Sequence, residues 1–236
     1  MTETTARALV AGSSGGIGAA CVELLARRGW QVVGIDRDTG VDITDPGGAE
    51  QAVADAARQL GGLDAIVHAI GMSGRGLGDG PVTRCSDQAW AEVLRVNLES
   101  VFRLLRSGLP SLAQEGGGAF AVVGSVLGVS ADADFLTAAY AVSKGGLIPL
   151  MRVAALEGAP LGVRVNLVVA GLVDTPMARR ALSSNRIGGR INELQPLGGR
   201  ALTASEVAAV VAWAVSPDST GVTGASIPVD RGWLLR

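Results

Sequence analysis

The chain has 236 residues, a formal net charge of −2, 48% apolar residues and only 3% aromatic ones. Both signs of charge are spread along it, so it lacks the basic patch that nucleic-acid binding requires. One histidine, His68, and two distant cysteines, Cys21 and Cys85, exclude a His/Cys metal site and a disulfide framework.

An aliphatic, glycine-rich chain of this length suits one layered α/β unit spanning 1–236. The opening MTETTARALVAG carries no apolar signal core, and no stretch is long enough to span a bilayer. The expectation is a cytoplasmic protein with a small-molecule substrate and neither membrane nor nucleic-acid partner.

Arg7 to Ala11 reads as a buried strand. Gly12-Ser13-Ser14-Gly15-Gly16-Ile17-Gly18 follows, then helical spacing from Ala19 to a Gly29 stop. A second strand, Gln31 to Ile35, ends at Asp36. Strand, glycine turn, helix, strand and acid form the setting of a dinucleotide site. The glycines let backbone approach a pyrophosphate, and the helix N-terminus offers it free N–H groups. Asp36 can accept hydrogen bonds from both ribose hydroxyls and repels a 2′-phosphate, which points to NAD over NADP; Arg37 beside it blunts that preference. No Gly-Lys-Ser/Thr occurs, which excludes a Walker A loop.

Asp45 before Pro46 predicts a helix cap, with the helix running over 46–60. Leu63 to Ala69 predicts a third strand, followed by Ile70-Gly71. A loop spans 72–84. A long helix begins at Ser86 and ends near Pro110, with Asn97 as a polar residue among apolar ones. Asn97 reads equally as an interhelical amide or as part of a site. Ala119 to Ser125 predicts a strand with Ser125 at its C-terminal end, the edge where open α/β sheets bind ligands.

A helix over 137–158 carries the only tyrosine and the only lysine, Tyr140 and Lys144, four residues apart and therefore on one face. All other long basic residues are arginine. An ammonium beside a phenol is expected to lower its pKa toward the working range of an acid or base. Val163 to Val169 predicts a strand ending near Gly171. Residues 177–199 predict a mobile substrate lid with hinges at Gly188-Gly189 and Gly198-Gly199. Its arginines read as surface bases, with an anion clamp as the alternative. Thr203 to Glu206 fits a capping box for a final helix, and Ile227 to Asp230 a last strand.

Gly12-x-x-x-Gly16-x-Gly18 together with Tyr140-x-x-x-Lys144 resembles the short-chain dehydrogenase/reductase family, in its short-subunit branch, over essentially the whole chain. The resemblance implies a Rossmann-like doubly wound domain with a mainly parallel sheet of about seven strands, helices on both faces, and a homotetramer or homodimer. It implies that Gly12, Ser14, Gly16, Ile17, Gly18, Asp36 and Arg37 line the phosphate and ribose site. Asp42 and Ile43 would meet adenine, Ala69 and Gly71 the adenosine side, and Gly171, Val173 and Thr175 the nicotinamide. Ser125 would bind the substrate oxygen, Tyr140 exchange its proton, Lys144 assist Tyr140 and hold the ribose, and Asn97 hold a water leading to solvent. The implied activity is NAD-dependent interconversion of a secondary alcohol and a ketone.

The chain departs from the family's pattern in three places. His68-Ala69-Ile70-Gly71 stands where Asn-Asn-Ala-Gly is usual, Ala170 where proline precedes Gly171, and the Ser125–Tyr140 interval is about two residues longer than expected. Three rival readings remain: an NADPH-dependent 3-oxoacyl-acyl carrier protein reductase, a silent NAD-sensing protein, and a hydrolase resting on Ser125 and His68.

Overall fold

A computed structural model describes residues 5–236. Six strands form one fully parallel sheet: β1 (Arg7–Ala11), β2 (Gln31–Ile35), β3 (Ala65–His68), β4 (Gly118–Ser125), β5 (Val163–Ala170) and, numbered by chain order, β8 (Ser226–Val229). Their spatial order is β2-β1-β3-β4-β5-β8. Two short strands, β6 (Val173–Asp174) and β7 (Leu202–Thr203), pair separately.

The four inner strands are apolar on both sides because helices cover both faces. Leu9 and Ala11 of β1 enter one core, with helices α2 (Gly48–Leu60), α4 (Ser100–Gln114) and α6 (Leu147–Gly158). Ala8 and Val10 enter the other, against α1 (Gly16–Arg27) and α9 (Ala204–Val215). On the sheet side the second core includes Ala65, Ala119 and Ala121, small side chains beneath α1 and α9. Among the described residues no helix is long and apolar enough to cross a membrane.

The expected seventh strand of the main sheet does not form among the described residues. Between Ile35 and Val41 there is only a short 3-10 turn, Arg37–Thr39. A further parallel strand needs a crossover of a dozen residues or more, which this interval cannot supply. Helix α2 starts at Gly48 with Gly47 as N-cap, so Asp45 is not its cap; Asp42 instead closes the preceding turn by accepting from Thr44 N at 2.8 Å.

The long helix is two, α3 (Asp87–Leu94) and α4, joined through a π-helical turn at Arg95–Glu99. Helix α4 runs past Pro110 to Gln114. The helix of Tyr140 and Lys144 divides into α5 (Ala138–Gly145) and α6. Pro149 lacks the N–H that would bond back to Gly145, which weakens the ladder at this junction.

The 177–199 segment holds α7 (Arg179–Leu182) and α8 (Asn185–Leu194). Gly188 and Gly189 lie inside α8 and are no hinge. Gly198 and Gly199 do have positive φ, 83° and 57°.

Candidate active site

The parallel arrangement brings all six C-terminal strand ends to one edge. Ala11 pairs with Ile35 and His68, and Ser125 pairs with Ala170. The chain leaves the sheet at Gly12, Asp36 and Ala69 on one level, and β4 and β5 run three residues further, so that Ser125 and Gly171 stand above them, since His68 pairs with Val122. In such sheets ligands bind beyond the carboxyl ends where strand order reverses, which locates a crevice between β1 and β3.

Two grooves meet there and share Ile17, Ala69, Gly71 and Thr175. The first is lined by Gly12, Ser14, Gly16, Asp36, Arg37, Asp42 and Ile43. The Gly12 φ of +89° suits glycine, and a Cβ there would lie 2.8 Å from the Ala69 carbonyl carbon. Helix α1 begins after Gly15 with no side-chain cap, which leaves its first N–H groups and its positive dipole end facing the groove. Gly18 lines neither groove. A Cβ there would meet the Gly12 oxygen at 2.0 Å, so Gly18 lets the helix pack under the loop.

Asp36 Oδ1 accepts from Arg37 N at 2.7 Å and Oδ2 from Ser14 N at 3.2 Å. The carboxylate is thereby fixed at the groove beside the glycine loop. For Asp42, burial alone would raise the carboxyl; bonds from Thr44 and the charges of Arg37 and Arg95 outweigh it and hold the pKa low. These features fit a dinucleotide: an open helix N-terminus for phosphates, a fixed acid for a ribose, and a glycine turn whose added Cβ atoms would collide with neighbouring strand ends.

The second groove is lined by Ser125, Tyr140, Lys144, Gly171 and Val173, with apolar walls from Leu127, Phe135, Leu172, Met177 and Trp233. Ser125 Oγ accepts from Leu127 N at 3.2 Å, which leaves its own proton for another partner. Lys144 is 5% exposed, and its Nζ donates to the Val123 carbonyl at 3.0 Å. Burial pushes its pKa down to about 8. Burial pushes the Tyr140 phenol up, while a bond from Ser125 pulls it the other way. The expected lowering of Tyr140 by Lys144 is thus not what the site displays. The ammonium is turned to a carbonyl and is itself weakened by desolvation, and the hydroxyl of Ser125 is the group that favours the phenolate.

Asn97 lines neither groove. It sits in the π-helical turn, completely buried, with Oδ1 accepting from Met72 N at 2.8 Å and Nδ2 donating to Met72 O at 2.9 Å and to Ser143 Oγ at 3.1 Å. It makes no direct bond to Lys144, although a Cβ on Gly71 would lie 3.5 Å from Asn97 Oδ1 and 3.4 Å from Lys144 Nζ. π-helical turns often mark such sites, because the extra residue turns one side chain out of helical phase.

Two residues that matter to this geometry were not singled out in the sequence. Asp79, 6% exposed, accepts from Ala139 N and Tyr140 N at 3.0 Å each, capping α5 from a loop sixty residues away. Its charge lies at the helix N-terminus, where the dipole favours an anion, and it fixes the backbone of Tyr140. Gln195, fully buried, accepts from Leu172 N at 2.6 Å and donates to Arg200 O at 2.8 Å. It ties the end of the 177–199 segment to the chain beside Gly171. Its place between Gly78 and Gly80 in the 72–84 loop is the only local signal for Asp79, and nothing local marks Gln195. His68, a candidate base for a hydrolase, is fully buried and bonded to Ser100 Oγ at 2.9 Å; it does not line the groove that holds Ser125.

A parallel sheet with a phosphate-type glycine loop and a Ser, Tyr and Lys at its carboxyl edge defines a nicotinamide-dependent oxidoreductase. Residues 11–234 match a family described as Enoyl-(Acyl carrier protein) reductase. The 3-oxoacyl-acyl-carrier-protein reductase FabG of Salmonella typhimurium is 31% identical over 245 residues, covering 97% of each chain. An uncharacterized NAD-dependent oxidoreductase of Mycobacterium tuberculosis is 34% identical over 203 residues, 82% of this chain and 71% of that one. A short-chain type dehydrogenase/reductase from Mycobacterium ulcerans superposes with a TM-score of 0.89 at 26% identity, covering 100% of this chain and 92% of that one. The aldohexose dehydrogenase of Thermoplasma acidophilum gives 0.86 at 26% identity, covering 98% and 95%. The chain belongs to the short-chain dehydrogenase/reductase family. It is an oxidoreductase acting on the alcohol–ketone pair with a nicotinamide cofactor.

Proposed function

We propose that the chain is an NAD-dependent dehydrogenase/reductase that interconverts a secondary alcohol and a ketone, with Tyr140 as the general acid and base. The observation that carries the reading is the meeting of the two grooves at Gly71 and Thr175, with Asp36 in one and Ser125, Tyr140 and Lys144 in the other. The nicotinamide supplies or accepts the hydride; the chain binds, orients and moves one proton. Ser125 Oγ directs its free proton to the substrate oxygen. Tyr140 Oη exchanges the proton with that oxygen. Lys144 keeps further N–H donors beyond its bond to Val123, and these serve the nicotinamide ribose. Asn97 fixes the Met72 backbone and Ser143 behind them and belongs to the path by which Lys144 reaches solvent. Val173 and Thr175 hold the carboxamide.

The choice of NAD is supported by the fixed carboxylate of Asp36 and by likeness to the NAD-dependent oxidoreductase of Mycobacterium tuberculosis. Likeness to the FabG enzymes favours a second reading, reduction of a 3-oxoacyl thioester, which generally uses NADPH. Residues 177–199 act in either case as a lid over a single catalytic domain, and cytoplasmic location follows the same likeness. Assembly into a homotetramer or homodimer is supported by Phe102 on α4 and by Val153 and Leu156 on α6, all exposed. Sedimentation as a monomer at micromolar concentration would refute that part.

The main test is a panel of ketones, secondary alcohols and a 3-oxoacyl thioester with each cofactor, followed by the absorbance of the reduced nicotinamide. NADH should exceed NADPH, and Tyr140→Phe should lose roughly a thousandfold in kcat while nucleotide affinity holds. Preference for NADPH overturns the assignment to Asp36. Equal inactivity of wild type and Tyr140→Phe, with tight NAD binding, turns the reading to a silent sensor.

A further inference from the structure

The substrate groove contains a pair of charges that the hydride chemistry does not use. Most arginines of this chain have visible work. Arg190 bonds Asp132 Oδ2 at 3.0 Å and also Asp134, and Arg186 pairs with Asp134. These two therefore fasten α8 to the loop over 126–136 and are not available as a clamp. Arg28, Arg84, Arg152 and Arg179 stand exposed to water. Arg75, half-buried, and Arg180, exposed but lining a groove wall, differ from both groups. They come from separate segments, one in the loop over 72–84 and one on α7, and both line the groove that holds Ser125 and Tyr140.

Neither guanidinium has a hydrogen-bond or ion-pair partner among the described residues, and Arg75 is half-buried. Burial lowers the Arg75 pKa, and the charge of Arg180 lowers it further, so the two cations act on each other. The acids nearby are already engaged. Asp79, whose charge does favour Arg75, gives both oxygens to the N–H groups of α5, and Asp134 is held by Arg186 and Arg190. The remaining walls are apolar, chiefly Leu127, Phe135, Met177, Ile187 and Trp233. Two like charges facing one cavity repel, and Arg75 also loses hydration there, a cost relieved when an anion enters between them.

We propose that Arg75 and Arg180 form the anion-binding end of the substrate pocket, so that the alcohol or ketone carries a carboxylate or phosphate on an apolar body. Guanidinium forks match both anions in a two-bond geometry, which would orient the substrate with its carbonyl toward Ser125 and Tyr140. This deepens the oxidoreductase reading of the same groove and rests on it for the position of the carbonyl. The anion site itself does not depend on hydride transfer.

The test compares acetoacetate with ethyl acetoacetate, and dihydroxyacetone phosphate with dihydroxyacetone, in wild type, Arg75→Gln and Arg180→Gln. The ratio of kcat/KM, charged over neutral, should fall roughly tenfold in each variant, the effect of losing one charge-assisted hydrogen bond. The pair with the larger ratio in wild type distinguishes carboxylate from phosphate. Calorimetric titration of the NAD-loaded protein with the two anions reads the same site without turnover. Affinity for either anion that weakens in both variants supports the proposal even if no ketone is reduced, which would fail only the activity reading. Ratios and affinities unchanged by both substitutions, or no binding of either anion at millimolar concentration, overturn it even if ketones turn over.

Discussion

The two halves of the carboxyl edge are built by different means. The half formed by β1, β2 and β3 binds with backbone and with one fixed acid: an uncapped helix, a glycine turn, and Asp36 held by two N–H groups. Its shape is set within some sixty consecutive residues. The half formed by β4, β5 and the segments around them binds with side chains gathered from far apart. Arg75, Ser125, Tyr140, Arg180 and Trp233 line one groove although they span most of the sequence. The first half meets a ligand of constant chemistry and needs only local geometry. The second meets a ligand that varies, and its walls lie on loops that the fold leaves free to change.

Lys144 sits where the two halves join, since its Nζ reaches Val123 of β4 and lies against Gly71. Lys144→Arg keeps a charge but breaks the comparison most severely. The wider planar fork cannot occupy a site enclosed to 5% exposure, nor shed its proton as an amine pushed down to about 8 can. Turnover is expected to fall by roughly a hundredfold or more, with nucleotide affinity also reduced, in steady-state kinetics and titration with NADH. Near-normal turnover would show that the lone lysine is an accident of composition.

Asp36→Ala touches only the first half. On the proposed NAD reading it removes the acceptor for the ribose and the repulsion of a 2′-phosphate together, while Arg37 remains to meet that phosphate. The ratio of kcat/KM for NADH over NADPH should drop roughly thirtyfold, about 2 kcal/mol. The discrimination between substrates should stay as it was. A variant that changes its substrate ranking as well would join the two halves energetically where their geometry separates them.

The same division decides what could be read from the sequence. The strand, glycine turn, helix and Asp36 were legible because each signal is local: a hydrophobic period, a turn residue, an acid at a fixed offset. Ser125, Tyr140 and Lys144 were legible because their types are rare here and their order matches a family pattern. Asp79 was not, since its role depends on a contact with α5 that no period encodes. The split of Lys144 from Tyr140 was hidden for a related reason. Spacing puts the two on one helix face, but only packing reveals that the ammonium turns to Val123 and that Ser125, not Lys144, is the neighbour favouring the phenolate. The expected seventh strand failed on chain length alone, a constraint present in the sequence at 36–41 and overridden by analogy. In the 177–199 segment, pattern could list arginines but could not sort the paired Arg186 and Arg190 from the unpaired Arg180.

His68 lies at the seam, at the end of β3, and tests the fold rather than the chemistry. Ser100 Oγ donates to Val96 O at 2.6 Å, so its bond to His68 at 2.9 Å must take the proton from Nε2. This linkage ties β3 to the turn that carries Asn97. Nδ1 is then a buried acceptor with no partner among the described residues. Burial, with the charge of Lys144 adding, pushes the imidazole pKa down to about 3. In the unfolded chain it returns to about 6.5. Between those values the unfolded state binds a proton that the folded state does not, so stability falls as pH drops from 6.5 toward 3. From pH 7 to pH 5 this group alone should remove about 2 kcal/mol, seen as a lower urea midpoint. His68→Asn does not titrate, and its amide can still donate to Ser100, so it should lose that share of the pH dependence while the carboxylates contribute equally to both proteins. Parallel curves for wild type and variant would mean that His68 is not held neutral, and the seam between the two halves would then tolerate a charge that its burial forbids.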